Sequence, residues 1–193
     1  MLMKELQTIM KKITDRMYPL PPEDLEKLIS FVDSHEIVKG GKLLDVGSTA
    51  KSFFFVKKGL LRLYYYKNGH DVTELFACEG NVMSCFYSTF LDKPSRWAIE
   101  ALEPTTYYQL SYQNLLSLLK ESLAINGLYR RFLEINLVSA QLKADVCRFE
   151  SARDRYIRFR REFPEIAKRA SVNHIASYLL MAPESLSRIR GKL

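Results

Sequence analysis

The stretch "MAPESLSRIRGKL" sets Glu184 and Arg188 four positions apart, so a helix there would carry both on one face. From such a face an arginine can donate two hydrogen bonds to guanine O6 and N7, and a glutamate can accept one from cytosine N4. Ser185 adds a short polar side chain beside them. Glu184, Ser185 and Arg188 are therefore the expected base readers. Arg169, Ser171, Ser187 and Lys192 flank them with cations, hydroxyls and exposed backbone N–H groups, the chemistry that meets phosphate oxygens.

Other chemistries find less support. A cupin-type metal site needs two or three histidines and a carboxylate converging in a barrel, whereas His35, His70 and His174 are scattered. Cys78, Cys85 and Cys147 show no C-x-x-C spacing and cannot all pair, which argues against zinc and against a disulfide framework. No G-x-S-x-G stretch marks a hydrolase nucleophile. No catalytic residue, metal or cofactor is expected.

The elements that would position the readers can be traced along the sequence. Ser171 can cap a helix that buries Ile175 with Tyr178 or Leu179. A turn is expected at Leu180-Met181-Ala182. Pro183 then suits the first position of a second helix, with Glu184 in its first turn. Leu186, Ile189 and Leu193 would face inward, leaving Glu184, Ser185, Arg188 and Lys192 outside. Two helices, a short turn and a polar, basic outer face form the pattern of a helix-turn-helix. A small helical hairpin with a solvated outside is the bland alternative. Leu180 falls where such a turn favours glycine, at a cost of about 1 kcal/mol for the left-handed backbone.

Upstream, residues 1–34 read as helices broken at Pro19, Pro21 and Pro22. From His35 to about Leu110, β-branched and aromatic runs are punctuated by Gly, Asn and Pro, the pattern of a sandwich or barrel. Asn68-Gly69 marks a hairpin in "LLRLYYYKNGHDVTELF". Leu61, Leu63 and Tyr65 should share one face of its first strand, with Arg62, Tyr64 and Tyr66 on the other. Ser111 can cap a short helix from Tyr112, and a long helix should follow from about Ala124 to Arg148. Leu128, Phe132, Ile135, Leu142 and Val146, with Ser139 filling the gap, give that helix a coiled-coil-like seam. A second face of Leu133, Leu137, Ala140 and Ala144 could serve its own domain, so the seam is expected to join two copies in a homodimer.

Charge sharpens the picture. The chain carries a formal net charge of +7. Residues 127–193 hold 14 Lys and Arg against 7 Asp and Glu, and 1–126 balance at 15 of each. All the excess lies in the last third, which points to a polyanion partner for that part. No run reaches the ~18 uncharged apolar residues of a membrane span, and Lys4 and Glu5 interrupt any signal-like start. A cytoplasmic protein without a membrane partner is expected.

This order of elements resembles the Crp/Fnr family of bacterial transcription regulators, over nearly the whole chain. "IASYLLMAPESLSRIRGKL" is similar to that family's I-x-x-x-x-G-x-x-x-E-x-x-x-R-x-L signature, with Leu180 at the usual Gly and with Glu184 and Arg188 at the base-reading Glu and Arg. "FFFVKKGLLRLY" resembles its first roll hairpin, turning at Gly59. The resemblance implies an α+β fold: N-terminal helices and an antiparallel β-roll (a double-stranded β-helix) over 1–123, a long dimerisation helix over 124–150, and a helix-turn-helix over 151–193 that lacks the family's β-wing. It places an effector pocket at Ser84, Cys85, Ser95 and Arg96. There Ser84 stands for a Gly, Cys85 for the ribose-holding Glu, Ser95 for the phosphate-neutralising Arg, and Arg96 for a Ser. Burying a phosphate without its matched Arg is costly, so cyclic AMP is not the expected ligand. Iron–sulfur sensing would need four cysteines where three exist. The partners implied are double-stranded DNA, a second copy of the chain, RNA polymerase, and a small-molecule effector other than cyclic AMP. The rival expectation is a roll-based sensing or dimerisation module that has lost specific DNA binding.

Overall fold

A computed structural model describes residues 2–192. Two amphipathic helices, α1 (Leu2–Asp15) and α2 (Pro22–Ile29), precede eight strands. The strands are β1 (Val32–Ile37), β2 (Lys42–Leu44), β3 (Ser52–Lys58), β4 (Leu61–Lys67), β5 (His70–Ala77), β6 (Val82–Met83), β7 (Trp97–Ala101) and β8 (Thr105–Ser111). A short α3 (Phe86–Leu91) lies between β6 and β7. All pairings are antiparallel, and they make two four-stranded sheets, β1-β8-β3-β6 and β2-β7-β4-β5. Asn68 and Gly69 both take positive φ, so β4 and β5 are joined by the tight mirror-image turn that matches strand twist. Gly59 joins β3 to β4 at φ +117°, where a Cβ would lie 2.3 Å from the Thr105 hydroxyl. Only glycine fits there.

The roll interior is filled by Phe54, Val56, Leu61, Leu63, Met83, Ile99 and Tyr107. The outer face of the first sheet buries Phe53, Phe55 and Leu110 under α1, α2, α4 (Tyr112–Glu121) and the start of α5 (Leu123–Phe149). Ser111 and Ser122 cap α4 and α5 through the N–H groups of Asn114 and Ile125. The outer face of the second sheet is covered instead by the C-terminal helices. These are α6 (Ala152–Glu162), α7 (Pro164–Arg169), α8 (Val172–Tyr178) and α9 (Pro183–Arg190). Leu60 and Phe76 from the roll share one apolar cluster with Tyr156, Phe159, Ile166, Ile175, Leu179 and Leu186.

This packing covers the second face of β4 as well: Arg62 and Tyr64, expected opposite Leu61, Leu63 and Tyr65, are only 5% and 2% exposed, because the C-terminal unit lies over them. Arg62 keeps its charge by pairing with Glu100 at 2.6 Å and with Asp71, and it stacks over the Tyr64 ring. The long helix seam also shifts. Leu128 and Phe132 are buried against their own β3 and N-terminal helices, so they are not free for a second copy. Leu137 and Ala140, assigned to the intramolecular face, are exposed instead. Ile135 and Val146 are partly covered, and Leu142 is 59% exposed. An apolar strip runs Ile135, Val138, Leu142 and Phe149, exposed from Val138 onward, in steps of three, four and seven residues that keep one register. Val138, not Ser139, occupies the intermediate position.

The C-terminal helices complete their core with roll residues, so damage on the roll should reach them. Phe76→Ala should cost about 3–5 kcal/mol and speed amide exchange in α8 and α9, although Phe76 belongs to β5. Unchanged protection in α8 and α9 would mean that their own contacts suffice.

Candidate nucleic-acid interface

Helix α8 starts where its cap predicts: the Ser171 hydroxyl accepts from the His174 N–H at 3.2 Å. Ile175, Ala176 and Leu179 turn into the apolar cluster shared with the roll. The helix ends in a Schellman turn, with Met181 N–H bonded to the Ala176 carbonyl at 3.0 Å and Leu180 N–H to the Ser177 carbonyl at 3.1 Å. Leu180 takes φ +52°, the left-handed conformation expected at this position. Arg155 from α6 braces the turn, donating from Nε to the Leu179 carbonyl at 2.9 Å.

Helix α9 begins with Pro183 at its first turn and buries Leu186 fully, with Ile189 half-buried beside it. Leu193, the third expected inward residue, lies outside the described residues. Glu184, Ser187, Arg188 and Lys192 are exposed, and Ser185 is half-buried. Arg188 reaches the Ser185 hydroxyl only at 3.5 Å, so its guanidinium keeps donors free. Glu184, Ser185 and Arg188 are thus brought onto one accessible face, with Ser187 and Lys192 at its margins and Ser171 exposed on the neighbouring helix.

Arg169 is placed differently. Its Nη1 and Nη2 meet the Glu79 carboxylate at 2.7 and 3.1 Å, its Nε meets Glu103 at 3.2 Å, and Nη2 also bonds Glu103. Those contacts, that with Glu103 first, raise the guanidinium above its ordinary range. Burial pushes the Glu79 carboxyl up, but the Arg169 hydrogen bond and the Gly59 N–H outweigh it and hold the group below the usual range.

Two further contacts tie α8 and α5 to the roll. The Ser177 hydroxyl accepts from the Thr73 N–H at 3.1 Å, and Lys143 Nζ pairs with Glu74 at 2.8 Å. Glu74 stands at a bulge, since Leu63 pairs with Leu75 and Tyr64 with Thr73. On the same α8 face, burial first and the nearby Arg62 charge second hold the His174 imidazole below its ordinary pKa.

The four residues placed at an effector pocket do not converge on an open space. Ser84 donates to the Ser52 carbonyl at 3.1 Å, and Cys85 Sγ lies 3.3 Å from the Ser95 hydroxyl. Ser95 in turn donates to the Trp97 carbonyl at 2.8 Å, while Arg96 points to solvent. These polar side chains stitch the start of α3 to β3 and β7. The bracing role of Arg155 left no mark in local spacing, because its partners come from outside its own helix.

No protein-family model matches the chain, and no curated protein matches it. Solved structures do. One is FixK2 from Bradyrhizobium japonicum, with a TM-score of 0.72 at 18% identity over 84% of each chain. Another is the c-di-GMP responsive global regulator CLP from Xanthomonas campestris, with a TM-score of 0.68 at 15% identity over 89% of this chain and 91% of that one. A third is a transcriptional regulator described as crp/fnr family from Eubacterium rectale, with a TM-score of 0.67 at 16% identity over 90% and 83%. The chain has the Crp/Fnr-type fold, with β-roll, long helix and C-terminal helix pair in that order. Among the described residues no helix is long and apolar enough to cross a membrane.

Relieving the strained turn tests the local geometry. Leu180→Gly should raise stability by about 1 kcal/mol, because the side chain is exposed and only its left-handed backbone is lost as a cost. Thermal unfolding reads it, and a fall in melting temperature would mean that the Leu180 side chain contributes packing.

Proposed function

We propose that this chain is a sequence-specific, DNA-binding transcriptional regulator of the Crp/Fnr type, with 151–193 as its reading unit. The observation that carries the reading is the α8–α9 pair: an inward apolar stripe ending on Leu186, and Glu184, Arg188 and Lys192 exposed on the opposite face. A helix with that face fits the major groove, where Arg188 can take guanine and Glu184 can take cytosine. Lys192, Ser187 and the Ser171 end of α8 would meet phosphates, which fix register without reading sequence. RNA polymerase is the further partner of such a regulator at a promoter. The roll would not take cyclic AMP, binding another effector or none, since Cys85 and Ser95 hold each other where a ribose and a phosphate would need Glu and Arg. Solved structures similar to this one, FixK2 among them, bear on the reading through shared fold.

Operator DNA selected from a random pool tests the reading. Arg188→Ala should cost roughly 1–3 kcal/mol on the selected site and little on a scrambled one. Lys192→Ala should weaken both about equally and lower the salt slope. Equal loss on the two sequences for Arg188→Ala would make it a phosphate contact. Failure of the wild-type protein to select any sequence would favour a module without specific DNA binding.

The apolar strip of half-buried Ile135 and exposed Val138, Leu142 and Phe149 would pair two copies along α5, setting two reading helices about one DNA turn, roughly 34 Å, apart. Phe149 is 81% exposed in the single chain, which an isolated helix has no reason to maintain in water. Leu142→Asp should yield monomers in sedimentation and weak operator binding. A wild-type monomer at micromolar concentration would rule the pairing out.

A further inference from the structure

Resting on the reading of α8–α9 as a DNA reader, we infer that Arg169 is a phosphate contact held in reserve, clasped by Glu79 and Glu103 of the roll, and that the clasp restrains DNA binding until it is exchanged for DNA phosphate.

Arg169 closes α7 and stands two residues before Ser171, the cap of α8. Its backbone is thus at the α8 end that the reading turns toward the DNA backbone. Its side chain is turned the other way. It is 22% exposed, and Nε, Nη1 and Nη2 all bond carboxylate oxygens. The two acids come from separate turns at one end of the roll. Glu79 follows β5 and Glu103 follows β7. Glu79 is fixed in turn by the N–H of Gly59, at 2.8 Å, in the β3–β4 turn where no other residue fits. Three roll turns therefore converge on a single arginine of the reading unit.

Two features make the clasp exchangeable rather than a permanent strut. The side chains of Glu79 and Glu103 are 42% and 34% exposed, so water and salt reach the pairs and weaken them. A phosphate presents the same forked oxygen geometry to a guanidinium as a carboxylate does, so it can replace either acid without rebuilding the arginine. The charge balance supplies the restraint. Two carboxylates against one guanidinium leave a net negative charge at the edge where a polyanion must approach. Exchange also need not detach α8, because Ile175, Ala176 and Leu179 stay anchored with Leu60 and Phe76. The neighbouring Lys168 is paired with Glu165 on its own helix and does not duplicate the role.

The test uses the full-length protein, titrated with operator and scrambled DNA across a salt series. The variants are Glu79→Gln/Glu103→Gln, Arg169→Gln and the triple combination. The double variant should bind both DNAs about threefold or more tighter, with a salt slope steeper by about 0.9, the signature of one added phosphate contact. That gain should vanish when Arg169→Gln is added. A gain that persists without Arg169 would mean that the acids act only by bulk repulsion, and the inference would be wrong. No gain, or weaker binding, from a double variant with wild-type circular dichroism would equally overturn it. If the double variant fails to fold, Glu103→Gln alone leaves Glu79 and its Gly59 contact intact and must show a smaller gain with the same dependence on Arg169. Wild-type binding to operator separates the failures: if it is present without the gain, only the clasp falls, whereas its absence in every variant removes the DNA-reading proposal as well.

Discussion

The structure depends on one burial: the outer face of the β4–β5 sheet is closed by the C-terminal helices. The apolar residues those helices bury form one cluster with Leu60 and Phe76 of the roll. A sheet covered on both faces must find partners for every polar group it traps. That requirement explains Arg62, which sits among β-strand neighbours with Glu100, Asp71 and Thr73 as its partners. It also explains why Thr73, one residue from the bulge at Glu74, offers its N–H to Ser177 instead of to water. The position of α8, and through the Schellman turn that of α9, follows from this packing.

Helix α5 meets a second constraint. Its first half belongs to the core, where Ile125, Leu128 and Phe132 lie against the first sheet and α1–α2. Its second half leaves that core and touches the roll mainly through Lys143, which pairs with Glu74 and lies 4.8 Å from the centre of the Tyr178 ring. The apolar strip from Ile135 to Phe149 begins as the core contacts end. One helix thus anchors to its own roll at one end and presents a surface at the other, with Lys143 joining the exposed half to both β5 and α8.

Local signals made the α8–α9 pair legible in the sequence. Ser171, Pro183 and the Leu186–Ile189 spacing each act within a few residues, and so does the left-handed turn at Leu180. The Asn68-Gly69 hairpin and the Ser111 cap were legible for the same reason. What sequence reasoning missed depends on distant partners. Arg169 meets acids 90 and 66 positions away, so its side-chain direction could not be read from spacing. The seam on α5 was displaced because periodicity marks two apolar faces without saying which one the roll takes. Strand alternation divided β4 into two faces but carries no information about a helix that later covers the one holding Arg62 and Tyr64.

The basic excess of the last third changes meaning once its partners are known. Of its cations, Arg130, Arg131, Lys143, Arg148, Arg158, Arg161, Lys168 and Arg169 all face carboxylates within 4 Å. Arg155 is engaged by backbone carbonyls, and Arg160 lies over the Tyr156 ring. Among the described residues, those without such engagement are Arg153 on α6 and Arg188, Arg190 and Lys192 on or just after α9. Only Glu184 opposes them on that last element. The sequence-wide net charge is therefore a poor guide to where a polyanion would be attracted. Pairing leaves the net charge as it is but occupies most of the cations, and three of the four without such a partner stand on or just after the helix whose outer face the roll leaves open. On the proposed reading, such a field would steer a polyanion to α9 first and leave the clasped Arg169 at the margin of the contact, where a phosphate arriving second would compete with Glu79 and Glu103.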